Sequence, residues 1–210
     1  MKPYRFSLAL TTFFAAAAVS AASIDMTDPR RSLGREGDVR IDAQLARETV
    51  SPGVPIGITY QIENLSASSI AIATKVADSS YDEDSRTITV SVGSEVPPDG
   101  NMPQMIVIAP GEKKVLQAGA TPVLRAAATR KAFAAFPRFV QVKVAILRNI
   151  RPFAALLEKQ DGRTKHRLTD EQFNQWFESN DTIFLNTVPV HYTPSRRATT
   201  DAADATGSGF

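Results

Sequence analysis

The chain contains no cysteine and only two histidines, His166 and His191. Without thiols there is no disulfide framework, thiol nucleophile or cysteine metal site. Two histidines do not build a histidine-rich metal centre within one chain. Common catalytic signatures are missing as well: there is no Gly-x-Ser-x-Gly elbow, phosphate-binding loop or His-Glu-x-x-His helix. Basic pairs occur at Arg30-Arg31, Lys113-Lys114 and Arg196-Arg197, with a denser patch at Arg163, Lys165, His166 and Arg167. They are scattered among acids and lack the interleaved aromatics that stack bases, so nucleic-acid binding is not expected.

Only one long apolar run is present, and it lies at the N-terminus. Lys2 and Arg5 precede an uncharged stretch from Phe6 to Ala22 that holds Leu8, Leu10, Phe13, Phe14 and the Ala15 to Ala18 block. This is the layout of a secretory signal peptide. The small-residue frames Val19-Ser20-Ala21 and Ser20-Ala21-Ala22 place cleavage after Ala21 or Ala22. The run is short and diluted with alanine compared with the ~20 strongly apolar residues of a spanning helix. Residues 1–22 are therefore predicted to be removed, leaving a periplasmic or secreted chain with no membrane span. Removal takes away Lys2 and Arg5 but no acid, bringing the formal charge from +2 to zero. The roughly 190 residues that remain must be held by a conventional core, which a chain of that size can bury.

Residues 23–37 are polar with almost no apolar periodicity and read as a flexible leader; residues 195–210 are small and polar and read as a disordered tail. Between them, over 38–194, the dominant signal has period two. Val39, Ile41, Ala43 and Leu45 alternate with polar residues, as do Val54, Ile56, Ile58, Tyr60 and Ile62 beyond the Ser51-Pro52-Gly53 turn. Ile70 and Ile72, then Ile88, Val90 and Val92, continue the pattern. A Pro/Gly-rich crossing from Val96 leads to Met105, Val107 and Ala109, and Pro110-Gly111 turns into Lys113 to Ala118. Val140, Val142, Val144 and Ile146 make the cleanest strand, answered by Ile183, Leu185 and Thr187. Such alternation marks strands with one buried face. Leu124 to Phe136 is alanine-rich and suits a short helix ended by Pro137.

An insertion at about 151–181 is too long for a hairpin turn. It carries the strongest local signal in the chain. Thr169 and Gln172 fit a capping box, and Leu168 and Phe173 fit a hydrophobic staple. The spacing predicts a helix from Asp170 to about Ser179, with Phe173, Trp176 and Phe177 on one face. That face either anchors a partner or caps the open end of the scaffold beside Phe153, Leu156 and Leu157, where burial favours large apolar groups.

The stretch Glu48 to Asn64 (ETVSPGVPIGITYQIEN) and the stretch Ile108 to Leu116 (IAPGEKKVL) together resemble bacterial immunoglobulin-like and fibronectin type III-like domains. Those domains enter a strand through a Pro-Gly turn, run into an Asn-containing turn and later use a second Pro-Gly turn. The resemblance covers roughly Val39 to Tyr192. It implies a mostly β, immunoglobulin-like antiparallel sandwich, here with a helical insertion before the last strand, used for adhesion, spacing or recognition and without enzyme activity. The antibody-type hallmarks are absent, because there is no cysteine pair and the single Trp falls in the predicted helix.

Four acids, Asp78, Asp82, Glu83 and Asp84, crowd one loop beside Ser79, Ser80 and Tyr81 and offer the hard oxygen ligands that calcium takes. Their spacing matches no EF-hand loop, and a solvated acidic turn is the simpler reading. Asn64 and Asn180 each begin an Asn-x-Ser/Thr triplet, the glycosylation acceptor pattern. No cofactor is expected. The chain is expected to be an exported binding or adhesion-type domain recognising a protein or cell-envelope component. The residues expected to meet that partner are Phe173, Trp176 and Phe177 of the insertion and Pro97 and Pro98 of the Pro-rich loop. The competing expectations are a structural subunit of an envelope assembly and a hydrolase of unfamiliar type.

Overall fold

The computed structural model describes residues 24–74, 77–124 and 136–194. The signal peptide expected over 1–22, all but the end residues of the alanine-rich helix expected between Leu124 and Phe136, and the tail from residue 195 lie outside the described residues.

The described chain is mostly β. Its strands are β1 (Arg31–Glu36), β2 (Val39–Leu45), β3 (Thr49–Val50), β4 (Ile56–Asn64), β5 (Ile70–Ala73), β6 (Ala77–Asp82) and β7 (Thr87–Val92). These are followed by β8 (Asn101–Met102), β9 (Met105–Ile108), β10 (Lys113–Ala120) and β11 (Phe139–Leu147). The insertion holds α1 (Ala154–Glu158), β12 (His166–Arg167) and α2 (Asp170–Ser179), after which come β13 (Asn180–Phe184), β14 (Val188–Pro189) and β15 (His191–Tyr192).

One sheet is antiparallel, in the order β1-β2-β4-β10. The other runs β6-β7-β11-β5-β9, and β13 and β14 line the far side of β11. An antiparallel arrangement throughout was expected, and here the structure differs: β11 runs parallel to β7, from Phe139 opposite Thr87 to Val144 opposite Val92. The reason is the route of the chain. β7 and β11 are not joined by a hairpin, because β8, β9 and β10 are laid down between them, and a long crossover permits a parallel return.

Period-two alternation places the core. Ile41, Tyr60, Ile72, Val90, Val142 and Ile183 are all at most 2% exposed and belong to one apolar cluster drawn from both sheets. Asn64, also buried, ties the β4–β5 turn to the end of β9. Its Nδ2 donates to Ser68 O at 2.9 Å and Ile108 O at 3.0 Å, and its Oδ1 accepts from Ser66 N at 3.1 Å. With that amide buried and committed, Asn64 is not an accessible glycosylation acceptor. Along one edge of β11, β7 pairs with Phe139 to Val144 and β5 then takes over at Leu147. Gly93 ends β7 at that handover with φ +86°, and a Cβ there would stand 2.3 Å from Ala145 O, so no side chain fits.

Residues 31–36, expected within a flexible leader, instead form β1 paired along β2. Their inward positions are small and polar, so hydrophobic periodicity cannot reveal them. Ser32 Oγ donates to Asn186 O, and a Cβ on Gly34 would stand 3.0 Å from Leu185. Arg31 adds an ion pair to the buried Asp42, and Asp28 just upstream accepts from Gln44 Nε2 at 2.6 Å. The acidic segment likewise departs from a simple loop: Asp78 and Asp82 lie on β6, whose inward positions are Ala77, Ser79 and Tyr81.

β9 lies at the end of its sheet, yet its free rim is occupied by side chains. Met105 N donates to Gln160 Oε1 at 2.8 Å, Val107 O accepts from Lys114 Nζ at 3.0 Å, and Ala109 N donates to Glu112 Oε2 at 2.7 Å. Occupied rims of this kind resist pairing with another strand.

Candidate functional site

The insertion does not sit at an end of the two sheets. It covers the outer face of β5 and β9. All four residues of β5 are buried: Ile70 and Ile72 face the main core, while Ala71 and Ala73 join a second cluster with Met102, Met105, Leu147, Phe153, Leu168 and Trp176. The alanines leave room for the large rings above them. Phe153 meets Trp176 edge to face at 5.6 Å between centroids, a favourable aromatic geometry.

The helix forms where the sequence places it. Thr169 Oγ1 accepts from Gln172 N at 3.2 Å, and Gln172 Oε1 accepts from Thr169 N at 3.1 Å, completing the capping box. Leu168 and Phe173 fall in the same apolar cluster, as a staple requires. Trp176 is fully buried, and its indole N–H donates to Ser94 O at 3.2 Å; the same carbonyl accepts from Asn180 Nδ2 at 2.9 Å. Trp176 is therefore not an exposed anchor, a correction that follows from the depth of the alanine-floored recess it fills. Phe173 is half-buried and packs edge to face on Phe177, which is the exposed member of the three at 48%.

The Pro-rich loop and the insertion meet. Pro97 is buried, and Pro98 opens a 3₁₀ turn through Gly100 in which Asp99 has φ +54°. β8 then pairs with β12, with Met102 opposite His166 and Asn101 opposite Arg167, and Leu168 N donates to Gly100 O at 3.0 Å. A cleft of about 290 Å³ opens beside this ribbon, lined by Pro98, Asp99 and Asn101 to Gln104 on one side and by Gln160 and Gly162 to His166 on the other. Pro98 is thus at the cleft, whereas Phe173, Trp176 and Phe177 are not among its lining residues.

The wall from the insertion is a tight loop. Asp161 accepts from Thr164 N at 2.7 Å, Arg163 N at 2.8 Å and Thr164 Oγ1 at 2.8 Å. Those donors, Thr164 N–H foremost, hold its carboxyl down to about 2 from the ordinary 3.8. Arg163 and Lys165 are exposed on the lining and form no ion pair among the described residues. His166 is half-exposed, with Nε2 3.3 Å from Lys159 O. Gln160 Oε1 accepts from Met105 N, while its Nε2 is buried and has no hydrogen-bond partner among the described residues.

The basic patch at Arg163 to Arg167 was visible in the sequence. Met102, Gln104 and Gln160 were not, because only the β8–β12 pairing brings residues this far apart in the chain together. The acidic segment does not gather. Asp82 turns back on its own turn, accepting from Ser85 Oγ at 2.7 Å and Asp84 N at 3.0 Å, which lowers its pKa. Among the described residues no group of three or more Asp, Glu or His side chains is placed to hold a metal ion. No described helix is long and apolar enough to cross a membrane. No protein-family model and no curated protein matches this chain.

Proposed function

We propose that the chain is an exported, non-catalytic recognition domain, with an immunoglobulin-like sandwich as scaffold, that binds a protein or cell-envelope partner through the cleft between Pro98–Gln104 and Gln160–His166. The signal-peptide layout of residues 1–22 supports export to the periplasm or beyond. Recognition by loops carried on a rigid pair of sheets suits such a scaffold. The observation that carries the reading is the cleft. Two segments far apart in sequence are locked together by the β8–β12 ribbon; among the described residues their exposed Arg163 and Lys165 have no ion-pair partner, and the buried Nε2 of Gln160 has no hydrogen-bond partner. Polar groups converging on an apolar-walled cleft are the usual make-up of a binding site.

Photo-crosslinking in the native cell tests this. A photoreactive residue at Gln104 should yield one discrete adduct, while the same residue at Lys113 on β10 should yield none of that size. Identical adducts from both positions, or no adduct from Gln104, would overturn the proposal.

A further inference from the structure

We propose that the cleft takes the acidic end of an extended peptide, a carboxylate carried next to an apolar residue; this rests on the recognition role above and names its ligand. The charge of the lining points to an anion. Arg163 and Lys165 have no ion-pair partner among the described residues, and Asp99 is the only carboxylate on the lining. Asp161, the acid nearest to them in the chain, spends its oxygens on the N–H groups of its own loop. Cations held in this way attract a carboxylate through charge-assisted hydrogen bonds.

The amides point to a peptide. Gln160 is oriented by the bond from Met105 N to its Oε1, leaving the buried Nε2 as a donor without an acceptor. Asn101 and Gln104 add two more amides to the lining. Side-chain amides offer donors and acceptors side by side, which matches the C=O and N–H of a peptide unit; a phosphate group offers acceptors almost exclusively. The apolar part of the ligand has Met102 and Pro98 to lie against. At about 290 Å³ the cleft suits one or two residues, not a folded surface.

The test is a titration of the full chain, purified as its own cell processes it, followed by backbone and side-chain amide NMR. The probe is an acetylated tetrapeptide of alanine and leucine ending in glutamate with a free terminal carboxylate. The controls are the same peptide with a neutral glutamine-amide end, and inorganic phosphate. Shifts should centre on Met102, Gln104, Gln160 and Gly162, and the neutral peptide should bind at least about tenfold more weakly. Arg163→Ala and Lys165→Ala should each lose about tenfold in affinity, and Lys113→Ala should lose nothing. Equal affinity for the neutral peptide, shifts centred elsewhere, or displacement of the peptide by an equal concentration of phosphate would overturn the assignment. If peptides show no acidic preference while the Gln104 crosslink persists, only the ligand chemistry falls. If the crosslink is absent, the recognition role falls with it.

Discussion

The main core between the two sheets and the small cluster beneath the insertion meet back to back at β5, and they are assembled differently. The first is drawn from many strands and filled mainly by aliphatic, largely β-branched residues, most of which alternate with polar neighbours outside β5. The second is concentrated: two large rings, Phe153 and Trp176, sit over Ala71 and Ala73. A distributed core shares the loss of any one side chain among its neighbours. A concentrated one depends on its largest member, so the insertion and the cleft wall it carries hang on Trp176.

The largest effect is expected where the pairing along β11 passes from β7 to β5. Gly93→Val forces a side chain onto Ala145 O in a left-handed backbone conformation. It should cost more than about 4 kcal/mol, seen as loss of soluble protein or of a cooperative urea transition. Next comes Trp176→Ala, expected to cost about 3–5 kcal/mol but unevenly. Hydrogen exchange should accelerate through α1, β12 and α2 while β2, β4 and β11 stay protected. Ile72→Ala, on the other face of β5, should instead lower protection everywhere. Uniform loss of protection in both variants would show that the two clusters are one cooperative unit.

A smaller effect of opposite sign sharpens the contrast from the main-core side. Tyr60 is fully buried, its hydroxyl has no hydrogen-bond partner among the described residues, and burial pushes its pKa up to about 12. Tyr60→Phe should therefore stabilise the domain by about 1 kcal/mol, measurable as a rise in the urea midpoint. The smallest effect belongs to the cleft wall. Because folding lowers the Asp161 pKa from 3.8 to about 2, its contribution is complete above pH 4 and is lost as pH falls toward 2. Amide signals of Arg163 and Thr164 should broaden or shift across that window before the sheets unfold.

Where inward residues are large and apolar, strands were legible: β2, β4, β7 and β11 lie where the alternation predicts. The capping box at Thr169 and Gln172 fixed the start of α2 just as directly, since it depends only on residues three apart. β1 and β6 were not legible, because Ser32, Gly34 and Ser79 face inward and small or polar residues leave no hydrophobic period. The parallel pairing of β11 with β7 was hidden for another reason: strand direction follows from the path between strands, which local pattern does not encode. Ala71 and Ala73 looked like ordinary outward positions. Their burial appears only once a segment some eighty residues later folds over them. The cleft was half legible, its basic side and its prolines standing out while its amides did not.

The plugs along β9 carry a consequence for how the protein is made. Lys114 and Glu112 follow β9 almost at once in the chain, but Gln160 comes 55 residues after Met105. Until that later segment emerges and docks, the first peptide group of the strand stands open. A chain stalled or clipped before Lys159 would thus present adhesive backbone to any neighbour in the same state. The insertion thus closes part of the β9 rim as well as forming a wall of the cleft, and its removal should show as aggregation of newly made protein, read by light scattering.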